Sequence, residues 1–194
     1  MGGRRKKEEA WKREIKEFKR NWKKLTEGWF GYIFYAILGV VLALIVNQSL
    51  AFALSTDLPV VAVVTSSMQH DDPKVIEINH YRWLEKKFGY NRSYIDSWPL
   101  PNGFSVGDLP VVQGADDYEV GDVIVYSIPG QKVPIIHRII RKNPDGTFMT
   151  KGDRNPDMLS FEYRVKKEQI HGKVIFVIPK LGYLRVAISR IFGV

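Results

Sequence analysis

The chain has 194 residues and a formal net charge of +8, which suits one modest domain with an appendage and excludes two large domains. It contains no cysteine, so disulfide scaffolds, thiolate zinc sites and cysteine nucleophiles are excluded. Hydrophobic residues make up 45% and aromatic residues 12%, a composition that argues against wholesale disorder.

The charge is concentrated at the N-terminus. Residues 1–27 carry 11 Lys/Arg against 5 Glu, a net of +6, and the rest of the chain carries only +2. A nucleic-acid reader would spread basic residues over its folded face, so no nucleic-acid partner is expected. Within this segment Trp11, Ile15, Phe18, Trp22 and Leu25 recur at steps of 4, 3, 4 and 3. That spacing predicts one apolar helical face ringed by Lys and Arg. A basic amphipathic helix on anionic lipid is the expectation; a short coiled coil or a plain extension of the following helix is the alternative.

Residues 28–56 contain no charge. Their length and apolarity predict a transmembrane helix, with Trp29, Tyr32 and Tyr35 at its basic end as interfacial aromatics. The stretch is too long, and its preceding region too mixed in charge, for a removable signal peptide. A retained single-pass anchor is expected. The basic flank places the N-terminus in the cytoplasm and residues 57–194 outside the membrane.

Beyond the anchor the apolar runs are short and β-branched: residues 59–64, 109–112, 122–126, 133–140, 148–150 and 173–178. Gly, Pro, Asn or Asp bounds each of them. These predict a mainly β protein, an antiparallel sheet or partial barrel, preceded by the one transmembrane helix. Residues 74–105 read as an insertion. Ile76, His80, Trp83, Leu84 and Phe88 fall at helical spacing, Gly89 ends the helix, and a loop with Pro99, Pro101 and Gly103 follows. Trp83, Phe88, Tyr90, Trp98 and Phe104 serve either as packing or as lipid contacts. Residues 180–194 are too short and too charged to span a membrane; they form an interfacial helix or a last core element.

Three residue types carry chemistry. Ser67 ends the valine-rich run in PVVAVVTSSM, and a serine needs a base before it can attack. His137 is a polar ring inside the apolar PIIHRII, and alone reads as structural sooner than as catalytic. Asp153 and Asp157 lie in KGDRNPD, where isolated acids commonly stabilise turns. Lys151 is a second candidate base. His70 with Asp71 and Asp72, His80 and His171 are not expected to hold a metal, and no cofactor is expected. Asn91-Arg92-Ser93 is a glycosylation sequon; Asn47-Gln48-Ser49 is another, in or beside the membrane.

At TSSM, PIIHRII and KGD the chain resembles the type I signal peptidases, specifically the archaeal and endoplasmic-reticulum branch. GDLPVVQG, GDVIVY and GKVIFVIPKLGYL are similar to further segments of that family. The likeness runs over residues 59–184, about two-thirds of the chain. It implies a signal-peptidase-like catalytic domain, a membrane-bound serine endopeptidase that cleaves signal peptides from exported preproteins, possessing Ser67 as nucleophile and His137 as base. It carries the acids onto Asp153 and Asp157, with Asp157 favoured for orienting His137 and Asp153 as auxiliary. The Ser67 backbone N–H and the Thr65 hydroxyl are the implied oxyanion donors. Signal peptides, membrane lipid and the translocation channel are the implied partners. Two features depart from the family: QHDD separates Ser67-Met68 from Pro73, and Asp157 follows KGD more closely than the family's second acid. A self-cleaving repressor-type protease and a non-enzymatic partner of the export machinery are the alternatives. Only ten residues, 57–66, separate the anchor's end from Ser67, a reach of about 33 Å at full extension, so the nucleophile is expected to work close to the membrane face.

Overall fold

The computed structural model describes residues 2–181 and Tyr183. The chain divides into two compact units, residues 1–49 and 50–194. The expectation for the C-terminal segment lies outside the described residues, apart from Lys180, Leu181 and Tyr183.

In the first unit, helix α1 covers Gly2–Thr26. Trp11, Phe18 and Trp22 are exposed, and the last two stack with ring centroids 5.9 Å apart. Thr26 Oγ1 donates to Trp22 O at 2.9 Å. Gly28 then takes a left-handed backbone, φ 72°, a conformation a side chain would oppose. Helix α2, Trp29–Ala53, follows. It is long and apolar enough to cross a membrane, and most of its side chains face outward, as lipid contact requires.

The protein is mainly β. Strands β1 Leu109–Gln113, β2 Val123–Tyr126, β3 Ile135–Lys142, β4 Phe148–Lys151 and β5 Ile170–Ile178 form one sheet of order β1-β5-β2-β3-β4, antiparallel throughout. Register shifts interrupt the β1–β5, β2–β5 and β3–β4 pairs; an extra residue on one strand bends and twists it. The valine-rich segment 59–64 runs beside β1. Val61 N donates to Pro110 O and Val63 N to Asp108 O at 3.1 and 3.0 Å, and Pro59 O accepts from Val112 N.

Alternation sends side chains to two faces. Val123 and Val125 of β2 join Val61, Val63, Met68, Val112 and Val174 in one core cluster. Ile124 and Tyr126 join Tyr118, Ile139, Phe148 and Val165 in another. Both faces of β2 are thus buried, which explains its unbroken apolar run. On β3 the same alternation points adjacent His137 and Arg138 in opposite directions.

The insertion is helical over residues 73–88: α-helical at Pro73–Ile76, π-helical at Glu77–Arg82 and α-helical again at Trp83–Phe88. Asp72 caps its start, accepting from Lys74 N at 2.9 Å, with Pro73 in the first turn, where no N–H is needed. Gly89 ends it at φ 72°. A short helix, Arg92–Asp96, follows. Trp98 and Phe104 are buried. Trp83, Phe88, Tyr90 and Trp98 pack around Leu84, Ile95 and Ile140, with Tyr90 and Trp98 edge to face at 5.8 Å. Trp83, Phe88, Tyr90, Trp98 and Phe104 thus all make packing contacts.

Candidate active site

Ser67 lies on the turn that ends the valine-rich segment, where Gln69 N donates to Ser66 O at 3.0 Å. Two neighbours hold the turn: Arg154 N donates to Ser67 O at 2.8 Å, and Phe104 N to Met68 O at 3.0 Å. The Ser67 N–H has no acceptor among the described residues. The Ser67 and Thr65 hydroxyls share a hydrogen bond of 3.2 Å.

His137 sits mid-way along β3 and is buried. Ser67 and His137 line the same cavity, of about 610 Å³, together with Thr65, Met68, Asn155 and Leu159. The ring has a defined orientation. Nδ1 lies 2.5 Å from Glu162 Oε1. Because a carboxylate accepts, Nδ1 carries the hydrogen, and in the neutral ring Nε2 is left with a lone pair. Gly152 faces that nitrogen: a Cβ built there would stand 2.9 Å from His137 Nε2 and 2.7 Å from Asn155 Nδ2.

Glu162 belongs to the 3-10 turn Ser160–Tyr163 and is fully buried. Its second oxygen accepts from Leu159 N at 2.5 Å. One carboxylate thus fixes the imidazole and closes its own turn. The two acids taken from KGDRNPD lie elsewhere. Asp157 is exposed and accepts from Met158 N at 2.8 Å. Asp153 is buried and bonds Arg138, with Nε at 2.9 Å and an end nitrogen at 2.8 Å. Burial opposes its ionisation, but Arg138, His80 and His70 outweigh it and hold the carboxyl well below its ordinary range. Lys151 is buried with its ammonium on Asn79 O and Gly152 O, at 2.7 and 3.0 Å. Burial lowers it to about 8, against the attraction of Asp153, Glu162 and Asp157. It is not among the residues that line the cavity.

A second Ser/His/Asp line runs through Ser127, His171 and Asp57. Ser127 Oγ is 2.7 Å from His171 Nε2, and His171 Nδ1 is 2.8 Å from Asp57 Oδ1. Its chemistry is poorer although its serine and histidine are hydrogen-bonded. Ser127 N already donates to Gln169 O at 2.9 Å, so it is not free to stabilise an oxyanion, and Asp57 is exposed. The same histidine's carbonyl accepts from Thr56 Oγ1 at 2.7 Å. These bonds fasten residues 56–57 to the sheet.

A hydroxyl, an imidazole with a free Nε2, and a buried carboxylate behind that ring, gathered at one cleft, can perform acyl transfer. No family model matches the chain. It does have homologues among the catalytic subunits of the signal peptidase complex. It is 36% identical to signal peptidase complex catalytic subunit SEC11 of Komagataella phaffii over 109 residues, 48% of this chain and 64% of that protein. For the namesakes from Candida albicans and Chaetomium globosum the identities are 34% and 33%, over 48% of this chain and 63% and 61% of theirs. All three are eukaryotic proteins. The chain thus spans a little under two-thirds of the length of these relatives.

Proposed function

We propose that this chain is a membrane-anchored serine endopeptidase that removes signal peptides from exported preproteins. The observation that carries the reading is the shared cavity of Ser67 and His137, with the far ring nitrogen held by a buried carboxylate. The likeness to signal peptidase catalytic subunits supports the substrate class.

The sequence of events follows from the atoms. The Ser67 hydroxyl turns from Thr65 toward His137 Nε2; such contacts are commonly looser before substrate binds. His137 takes the proton as Ser67 Oγ attacks the scissile carbonyl. Glu162 stabilises the resulting imidazolium and holds its orientation. The Ser67 N–H and the Thr65 hydroxyl receive the developing oxyanion. His137 then protonates the departing amine, and water repeats the cycle on the acyl-enzyme. In this reading Glu162 has the role the sequence suggested for Asp157, and Asp153 acts from behind.

Residues 1–27 lie on the cytoplasmic side, with α1 resting on anionic lipid; residues 28–56 cross the membrane; residues 57–194, carrying the cleft, lie outside. The charge bias supports this orientation, and the aromatic face of α1 among Lys and Arg supports the lipid contact. The chain works beside the translocation channel, where signal peptides emerge.

The test uses the full-length chain in lipid with a preprotein. Wild type is expected to release the mature chain, and Ser67→Ala none. Equal cleavage by both overturns the reading. Signal-peptide binding without turnover by wild type would instead indicate a non-enzymatic partner.

A further inference from the structure

The nucleophile turn and the insertion each place an imidazole on one buried carboxylate behind the cleft. His70, three residues after Ser67, has Nε2 3.0 Å from Asp153 Oδ2. His80, from the π-helical turn, has Nδ1 3.3 Å from Asp153 Oδ1. Their rings lie 5.8 Å apart. The same carboxylate holds the Arg138 guanidinium by three hydrogen bonds, and Arg138 is the chain neighbour of His137. His70, His80, Asp153 and Arg138 all have side chains that are nearly excluded from solvent.

This cluster joins four segments, the π-helical turn among them through His80. The nucleophile turn enters through His70, the base strand β3 through Arg138, and the turn after β4 through Asp153. The last is also bound to the first by the Arg154 N to Ser67 O bond of 2.8 Å and by an Arg154–Asp71 ion pair. Asn79 of the π-helical turn donates to Arg154 O at 2.8 Å. Ser67 and His137 themselves are not hydrogen-bonded partners here. Their separation is therefore set by what holds their backbones, and one side-chain route between those backbones is His70, Asp153, Arg138.

We infer that His70 is a positioning residue for the Ser67–His137 pair, acting through the buried Asp153–Arg138 pair. The inference rests on the catalytic reading above. Its mechanical content is that losing the His70–Asp153 bond frees the nucleophile turn to shift against β3. A misplacement of about 1 Å costs on the order of 100-fold in rate. Substrate contacts along the rest of the cavity are untouched, so KM should hold.

The experiment measures kcat and KM for preprotein cleavage by wild type, Ser67→Ala, His70→Ala and His70→Gln, each checked for folding by thermal melting. His70→Ala is expected to lower kcat about 100-fold with KM within about twofold. His70→Gln keeps a donor facing Asp153 and is expected to fall between the two, about tenfold below wild type. A folded His70 variant of either kind at wild-type kcat overturns the positioning role, as does a loss confined to KM. Should His70→Ala fail to fold, His70→Gln alone decides. A Ser67→Ala chain that still cleaves overturns the nucleophile assignment and the positioning role with it. An inactive Ser67→Ala beside an unimpaired His70 variant overturns the positioning role only.

Discussion

His137 Nδ1 and Glu162 Oε1 stand 2.5 Å apart, both out of solvent. Replacing Glu162 with Gln keeps the volume but offers a ring partner that no longer enforces the tautomer. The expected loss is about 10³ to 10⁴ in kcat for preprotein cleavage. Asp157→Asn, altering an exposed acid that bonds the neighbouring amide, is expected to stay within about twofold. Steady-state kinetics of the two variants checks both, and a reversal of their order refutes the assignment of Glu162.

Thr65 contacts Ser67, the proposed nucleophile, by a hydroxyl–hydroxyl bond of 3.2 Å. Thr65→Val removes that donor while preserving the branched shape. We expect kcat to fall about 10²-fold or more, the scale of losing one oxyanion donor, with little change in the melting temperature because the residue is exposed. An unchanged kcat removes Thr65 from the mechanism.

Gly152 is the residue that leaves His137 Nε2 accessible. Gly152→Ala inserts a methyl 2.9 Å from that nitrogen, closer than ordinary contact allows. The expected result is a strong loss of cleavage while the fold is retained, read by comparing activity with circular dichroism. Wild-type turnover in this variant would show that the proton is not transferred at Nε2.

Ser127→Ala breaks the hydrogen bond of 2.7 Å between Ser127 and His171. Preprotein cleavage is expected to remain within about twofold of wild type, because Ser127 makes structural hydrogen bonds on this reading. Abolished activity with an intact fold would move the nucleophile from Ser67 to Ser127.

Acid should loosen the insertion before it touches the acids. Burial lowers His80 from 6.5 to about 4, against the pull of Asp153, with Arg138, His70 and Lys151 adding to the depression. In the unfolded chain the ring protonates near 6.5, so protons favour unfolding. The stability at stake is complete above pH 6.5 and is lost as pH falls from 6.5 toward 4. Asp153, held low, adds its own loss only below about 4. Thermal melts between pH 7.5 and 4.5 should show a falling transition temperature in wild type and a flatter profile in His80→Gln. Identical slopes would refute this account.

The strands were readable because β2 and β3 are short β-branched runs between Gly, Pro and Asp, and the long apolar helix because charge is absent over its whole length. The end of the insertion helix was readable at Gly89, the residue suited to its left-handed cap. Ser67 and His137 were nameable from their motifs, and both line the cavity. Glu162 was not. It follows in SFEY, where an acid after a leucine lacks the hydroxyl that marks a capping box, and its burial depends on a 3-10 turn that periodicity does not reveal. The π-helical turn was equally hidden, since Ile76, His80 and Leu84 keep ordinary helical spacing. His70 and His80 lacked partners in sequence because their shared carboxylate is more than seventy residues away.

The Arg138 guanidinium also donates to Pro99 O at 2.6 Å and Leu100 O at 3.0 Å, the far end of the inserted segment. Excising that segment would leave the guanidinium paired with Asp153 but short of two acceptors, and a buried donor left unsatisfied commonly costs about 1 to 3 kcal/mol. The inserted stretch and the sheet should therefore melt in a single transition, and a trimmed chain would forfeit cooperativity rather than become a minimal version of the same domain.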